Sequence, residues 1–319
     1  MAEDLPRPDP GELSRTAVPQ ATSAFGPAAA LDPEPTLGFA LTHVPGYLPG
    51  RPDVAITRLA GGSVNHSYRV STPAGEYVLR LSPQTDAWLV TDRKVERELH
   101  ARAAAEGIAP RIVHADEQDR WLITEFIEGR LWSAADFAAA DSLALLAQTL
   151  RRLHGLQAPA RGRFDLLSAL GAYVQRIRPA DARLQTYLEE AARAWPASGA
   201  PDRRATIVHH DLHASNVIET RCGLMLIDWE CAAVSDPLLD VACVLSYYEP
   251  ARSFASMFLE RVGLPGVSAP QLQAAVWLFD LHTWLWYCER RQRRVPTQAE
   301  LDTARGLSLR VARGPQRGR

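Results

Sequence analysis

The stretch 208–230, VHHDLHASNVIETRCGLMLIDWE, constrains this chain more than any other. It puts His209, Asp211 and, after four intervening residues, Asn216 on one polar loop. An apolar run at 205–208 precedes the loop. A second at 224–227 reads as a short buried strand that delivers Asp228 to the same side. Phosphoryl transfer asks for such a set. A carboxylate, here Asp211, orients the attacking hydroxyl and takes its proton. Hard oxygen donors, here the Asn216 amide and the Asp228 carboxylate, suit the Mg2+ that neutralises phosphate oxygens. His209 is expected to hold the loop rather than touch the chemistry. A plain polar loop would also use these residue types. The crowd of His209, His210, Asp211 and His213 invites a metal-site reading, but neither the Glu of H-E-x-x-H nor a Cys pair accompanies it.

At 319 residues the chain has room for two lobes, and a formal net charge of -2 gives no field that favours nucleic acid. No apolar run approaches the roughly 18 residues of a membrane helix, and the N-terminus lacks a basic stretch followed by an apolar one. Neither membrane insertion nor export is expected. Cys222, Cys231, Cys243 and Cys288 form no C-x-x-C pair, which suggests reduced thiols and a cytoplasmic protein. Oligomeric state is left open.

Residues 1–36 hold seven prolines among small and charged residues and read as a disordered tail. A basic, flexible tail is expected at 305–319, which carries five arginines. Between them the first half is strand-rich. Strands at 54–59 and 67–70 flank Gly61-Gly62-Ser63-Val64-Asn65, and a turn at 72–75 leads into 77–81. The glycines suit a loop that lets backbone N–H groups approach phosphates, and they equally suit a hairpin turn. A helix over 92–106 follows, with Val95, Leu99 and Ala103 facing the sheet. Glu96 and Glu98 flank that stripe, and periodicity does not choose between them. The run 121–127 reads as a strand into a crossover at Glu128-Gly129. Helices are expected at 138–156, 182–194, 237–247 and 270–291.

Together these motifs resemble the aminoglycoside phosphotransferase and choline kinase superfamily, and within it bacterial thiamine and choline kinases. GGSVNHSYRV, EYVLR, DRKVERE, HHDLHASN and LIDWE carry the resemblance. It implies an α+β, two-lobed, protein-kinase-like fold. A small antiparallel-sheet lobe with one helix would span 37–128 and bind the nucleotide. A larger, mainly helical lobe would span 129–304 and carry the catalytic and acceptor residues. ATP and Mg2+ are the implied cofactors and a small-molecule alcohol the implied partner. Gly61, Gly62, Ser63 and Asn65 match the nucleotide loop, Arg80 the phosphate-binding cation and Glu96 its partner. Glu125 and Ile127 lie at the crossover as further nucleotide contacts. Asp211 and His209 match the catalytic loop, Asn216 and Asp228 the metal positions. Lys94 is the sole lysine, so arginine stands on the strand where such kinases usually place lysine, and the two are not interchangeable. Asp236 and Asp240 are expected to be structural.

Asp240 comes only twelve residues after Asp228, which leaves no room for the activation segment of a protein kinase. A small-molecule acceptor is therefore expected, and the resemblance implies a cationic alcohol, thiamine-like first and choline or ethanolamine second. An aminoglycoside-type activity or a catalytically silent nucleotide-binding module are the alternatives. Cationic alcohols are held by aromatic faces with a carboxylate nearby. Trp277, Asp280, Trp284 and Tyr287 share one arc of the 270–291 helix and are the candidates, although such a stripe equally suits core packing. Trp286 points the other way and is expected to pack.

Overall fold

Alternating apolar residues in the first half produce a five-stranded antiparallel sheet. The computed structural model describes residues 37–59, 65–82, 92–179 and 181–315. The expected tail at 1–36 and the glycines and serine at 61–63 lie outside them. A short helix α1 (Leu37–Leu41) precedes β1 (Ala55–Arg58), β2 (His66–Thr72) and β3 (Gly75–Leu81). Helix α2 (Arg93–Ala105) then leads to β4 (Ile112–Ala115) and β5 (Trp121–Glu125). Strand order is β1-β2-β3-β5-β4. Val70, Leu79 and Ile123 are fully buried on the face that packs on Ala40 and Leu41 of α1 and on Val44 just after it.

The stripe Val95, Leu99 and Ala103 of α2 is buried as its period requires. It joins the core of the second half with Trp229 and Val234, however, rather than the cluster on the sheet. Asp92 caps this helix by accepting from Lys94 N at 2.9 Å.

The crossover runs through Gly129. A Cβ there would lie 2.4 Å from the Glu219 carbonyl oxygen, so only glycine lets the chain pass so close to its neighbour. After β6 (Arg130–Leu131), the second half is mainly helical, with α3 (Ala140–Gly155), α4 (Leu166–Arg176) and α5 (Ala182–Ala197). A β ribbon pairs β7 (Thr206–Val208) with β10 (Ala233–Ser235), and a small sheet pairs β6 with the hairpin of β8 (Val217–Thr220) and β9 (Gly223–Leu226). Helices α6 (Leu238–Tyr247), α7 (Ala255–Val262), α8 (Ala269–Arg290) and α9 (Gln298–Ala312) follow.

Helix α9 corrects the expectation of a flexible tail from 305 onward. A capping box between Thr297 and Glu300 starts it, and Leu307 and Val311 are buried one turn apart. Arginine-rich composition hid that apolar pair. Arg310 is bound to the buried Asp280 at 2.8 Å, so a charge that read as solvated anchors the helix. Among the described residues, no helix is long and apolar enough to cross a membrane.

Candidate active site

A cleft of ≈ 840 Å³ lies between the five-stranded sheet and the second half, and Arg80, Asp211, Asn216 and Asp228 all line it. Local pairing explains how a loop and a strand end meet there. The hairpin register sets Val217 opposite Leu226, and Ile227 N donates to Asn216 O at 3.0 Å. The residue after Ile227 is Asp228, so the ladder itself brings the second aspartate beside Asn216.

The loop is pinned from below. His209 is fully buried, its Nε2 bonded to Ile227 O at 3.0 Å, and its Nδ1 accepts from Asp211 N at 3.3 Å. Burial lowers its pKa despite the nearby Asp240 and Asp211, so the ring is a neutral brace. Asp240 accepts from the backbone N–H groups of His209 at 3.1 Å and His210 at 2.8 Å, and its Oδ2 lies 2.8 Å from His154 Nε2. Burial pushes this acid up, but His154 and these bonds hold it below the usual carboxylate range. Asp236 forms a two-pronged pair with Arg203 at 2.8 and 2.7 Å and also accepts from Leu238 N at 3.0 Å. Both acids therefore have the structural bonds expected of them.

The Asn216 Nδ2 donates to Asp211 Oδ2 and to Asp211 O, each at 2.9 Å. With the nitrogen so engaged, Oδ1 is the atom available to a cation. His213 Nε2 lies 3.3 Å from the same Asp211 oxygen, which leaves Oδ1 of Asp211 for an incoming hydroxyl. The histidines diverge: His209 turns to Ile227, His210 packs edge-on to Phe164 at 5.1 Å and His213 turns to Asp211. That divergence removes the metal-site reading.

Asp228 adopts the left-handed conformation at φ 61°, a cost of about 1–3 kcal/mol for a residue with a Cβ. Burial and then the adjacent Glu230 carboxylate push its pKa up to about 7, against the pull of Arg80. Such an acid is short of positive charge. Its carboxylate and Asn216 Oδ1 form a hard-oxygen donor pair that fits Mg2+.

Arg80 pairs with Glu96, which is 1% exposed, and extends Nη1 to within 3.5 Å of Asp228. Burial favours the neutral form of Glu96, but Arg80 and Arg93 outweigh it and keep the carboxylate low. Glu98 instead meets Arg102 at 2.9 Å and Arg161 at 2.7 Å on the surface, which resolves the choice between the two glutamates. Asn65 donates to Glu230 at 2.6 Å, and Arg93 reaches the same carboxylate at 3.5 Å. Glu230 thus joins the sheet, α2 and the segment after Asp228, a role sequence reasoning missed. Glu125 and Ile127 line the cleft. The Glu125 carboxylate is paired with Arg111 at 3.0 Å, and the Glu125 backbone N–H donates to Arg111 O at 3.0 Å.

The expected acceptor residues separate. Trp277 is buried and donates to Val311 O at 3.1 Å, and Asp280 accepts from Ser246 at 2.5 Å and from Arg310. Trp284 packs edge-on against Tyr187 at 5.7 Å. These three hold the helical bundle and do not line the cleft. Tyr287 does, and so does Trp286, which was expected to pack. The cleft face of α8 is Phe279, His282, Thr283, Trp286 and Tyr287, joined by Tyr247. Its i, i+3, i+4, i+7, i+8 spacing was legible in the sequence. Rings occur all round α8, so the arc that contained an acid drew attention instead.

The model of the phosphotransferase enzyme family matches residues 55–272. A thiamine kinase of Escherichia coli (strain SMS-3-5 / SECEC) is 27% identical over 190 residues, 59% of this chain and 65% of that protein. The match thus spans less than two thirds of that relative's length. A choline/ethanolamine kinase family protein from Mesorhizobium loti superposes with a TM-score of 0.69 at 24% identity, covering 86% of this chain and 90% of the other. Choline kinase LicA from Streptococcus pneumoniae does so with a TM-score of 0.70 at 19% identity, covering 82% and 95%. LicA has also been solved in complex with AMP.

Proposed function

The chain belongs to the phosphotransferase enzyme family, and from that premise we propose that it transfers the γ-phosphoryl group of ATP to the hydroxyl of a small cationic alcohol. The observation that carries this reading is the meeting of Asp211, Asn216, Asp228 and Arg80 in one cleft. Asp211 orients the acceptor hydroxyl and takes its proton, with its other oxygen held by Asn216. Arg80, positioned by Glu96, neutralises charge on the phosphates. Asn216 and Asp228 would hold Mg2+, which when bound neutralises the phosphate oxygens. His209 and Asp240 keep the loop in place.

A thiamine-like alcohol is the first acceptor and choline or ethanolamine the second. Tyr247, Phe279, Trp286 and Tyr287 line the cleft and offer ring faces to a cation. Glu300 lies at the same end but is already paired with Arg294 and stands 3.5 Å from Arg290. Ring faces are then the main attraction, and they suit a flat cationic ring and a quaternary ammonium group alike. The thiamine kinase relatives support placing thiamine first. The test is ADP release with thiamine, choline, ethanolamine and an aminoglycoside compared side by side. ATP binding without ADP release on any alcohol would sink the proposal.

A further inference from the structure

A second cavity of ≈ 300 Å³ opens away from the reacting residues, between the end of α6, the start of α7, the first half of α8 and the end of α9. Its floor is apolar, built from Leu245, Leu272, Val276 and the Trp277 ring. Three arginines, Arg252 from the turn after α6 and Arg310 and Arg313 from the end of α9, line the rest. The cavity's own acid, Asp280, is consumed. It accepts twice from Arg310 at 2.8 Å and once from Ser246 at 2.5 Å, and it is 3% exposed. Glu249 also acts on Arg310 from further away. Arg252 donates through Nε to Leu245 O at 3.0 Å, which holds its guanidinium at the cavity wall. The balance of lining charge is therefore positive over an apolar base, in a chain whose formal net charge is -2.

We infer that this cavity is a binding site for a small anionic molecule with a short apolar tail, a carboxylate or a phosphate monoester. The head group meets Arg252 and Arg313, both suited to forked contact with such oxygens, and the tail lies on Leu272, Val276 and Trp277. The volume is at the low end of ordinary ligand pockets, about 300–1,000 Å³, which limits the tail to a few carbons. Both walls continue to the reacting cleft. Helix α8 presents Trp277 and Asp280 here and Phe279, Thr283 and Trp286 there, and α9 contributes Arg310 here and Glu300 there.

The test is calorimetric titration of the full chain with hexanoate and hexyl phosphate, with hexanol and hexylammonium as controls. The anions are expected to bind and the controls to bind at least about tenfold more weakly. Arg252→Ala and Arg313→Ala are each expected to weaken the anions by about tenfold, with far-ultraviolet circular dichroism unchanged. Equal binding of the neutral or cationic analogue overturns the inference. So does anion binding that both variants leave intact, and so does absence of anion binding to the folded chain. The readout requires no turnover, so it stands or falls separately from the proposed kinase activity.

Discussion

At the scale of single residues, Asp211 and Arg80 make the sharpest claims. Replacing Asp211 with Asn removes the proton acceptor but keeps the amide contact to Asn216 within reach. Turnover is expected to fall by about a hundredfold or more, with ATP affinity by titration nearly unchanged. A loss confined to ATP binding would assign Asp211 a different task. Arg80 spans Glu96 and Asp228 with two arms of one guanidinium. Lysine offers a single point charge, so Arg80→Lys is expected to keep the Glu96 contact and lose the other, raising the KM for ATP by about tenfold. Unchanged ATP kinetics would show that the fork is incidental. The meeting of Asp211, Asn216 and Asp228 was legible because they lie within one short stretch and the hairpin register joins them. Glu230 was illegible because its partners Asn65 and Arg93 come from distant positions, and no local pattern announces that contact.

At the scale of elements, α8 divides its rings between two duties. Trp286→Ala is expected to raise the KM for the acceptor several-fold while leaving the KM for ATP and the melting temperature almost unaltered. Trp284→Ala is expected to do the reverse, costing about 3 kcal/mol of stability by emptying a packed position with little change in acceptor KM. Steady-state kinetics and thermal unfolding of the pair check this, and similar behaviour of both variants would refute the division. Periodicity located the helix but not its working face, since a helix apolar all round carries little directional signal. For α9 the difficulty was composition. Arginines dominate its sequence, and Leu307 and Val311, the residues that dock the helix, form only a sparse stripe.

At the scale of the whole molecule, neutral histidines set a pH limit. Burial lowers His100 to about 4, and loss of hydration in the cleft wall lowers the half-buried His282 to about 3. Both lie below the ordinary histidine value of about 6.5, so the unfolded chain takes up these protons first. Their contribution to stability is complete above about pH 6.5 and declines as pH falls through the window down to about 3. Urea unfolding at stepped pH should show that slope, and His282→Phe should flatten it. A slope identical in the variant would remove His282 as a contributor.

The two-sidedness of α8 also bears on how readily such a catalyst could be retuned. Because the half-buried His282, Trp286 and Tyr287 face the cleft while Trp277, Asp280 and Trp284 knit the bundle together, a combinatorial library confined to the former group should retain a high folded fraction. Selection on new alcohols could then proceed without eroding the scaffold.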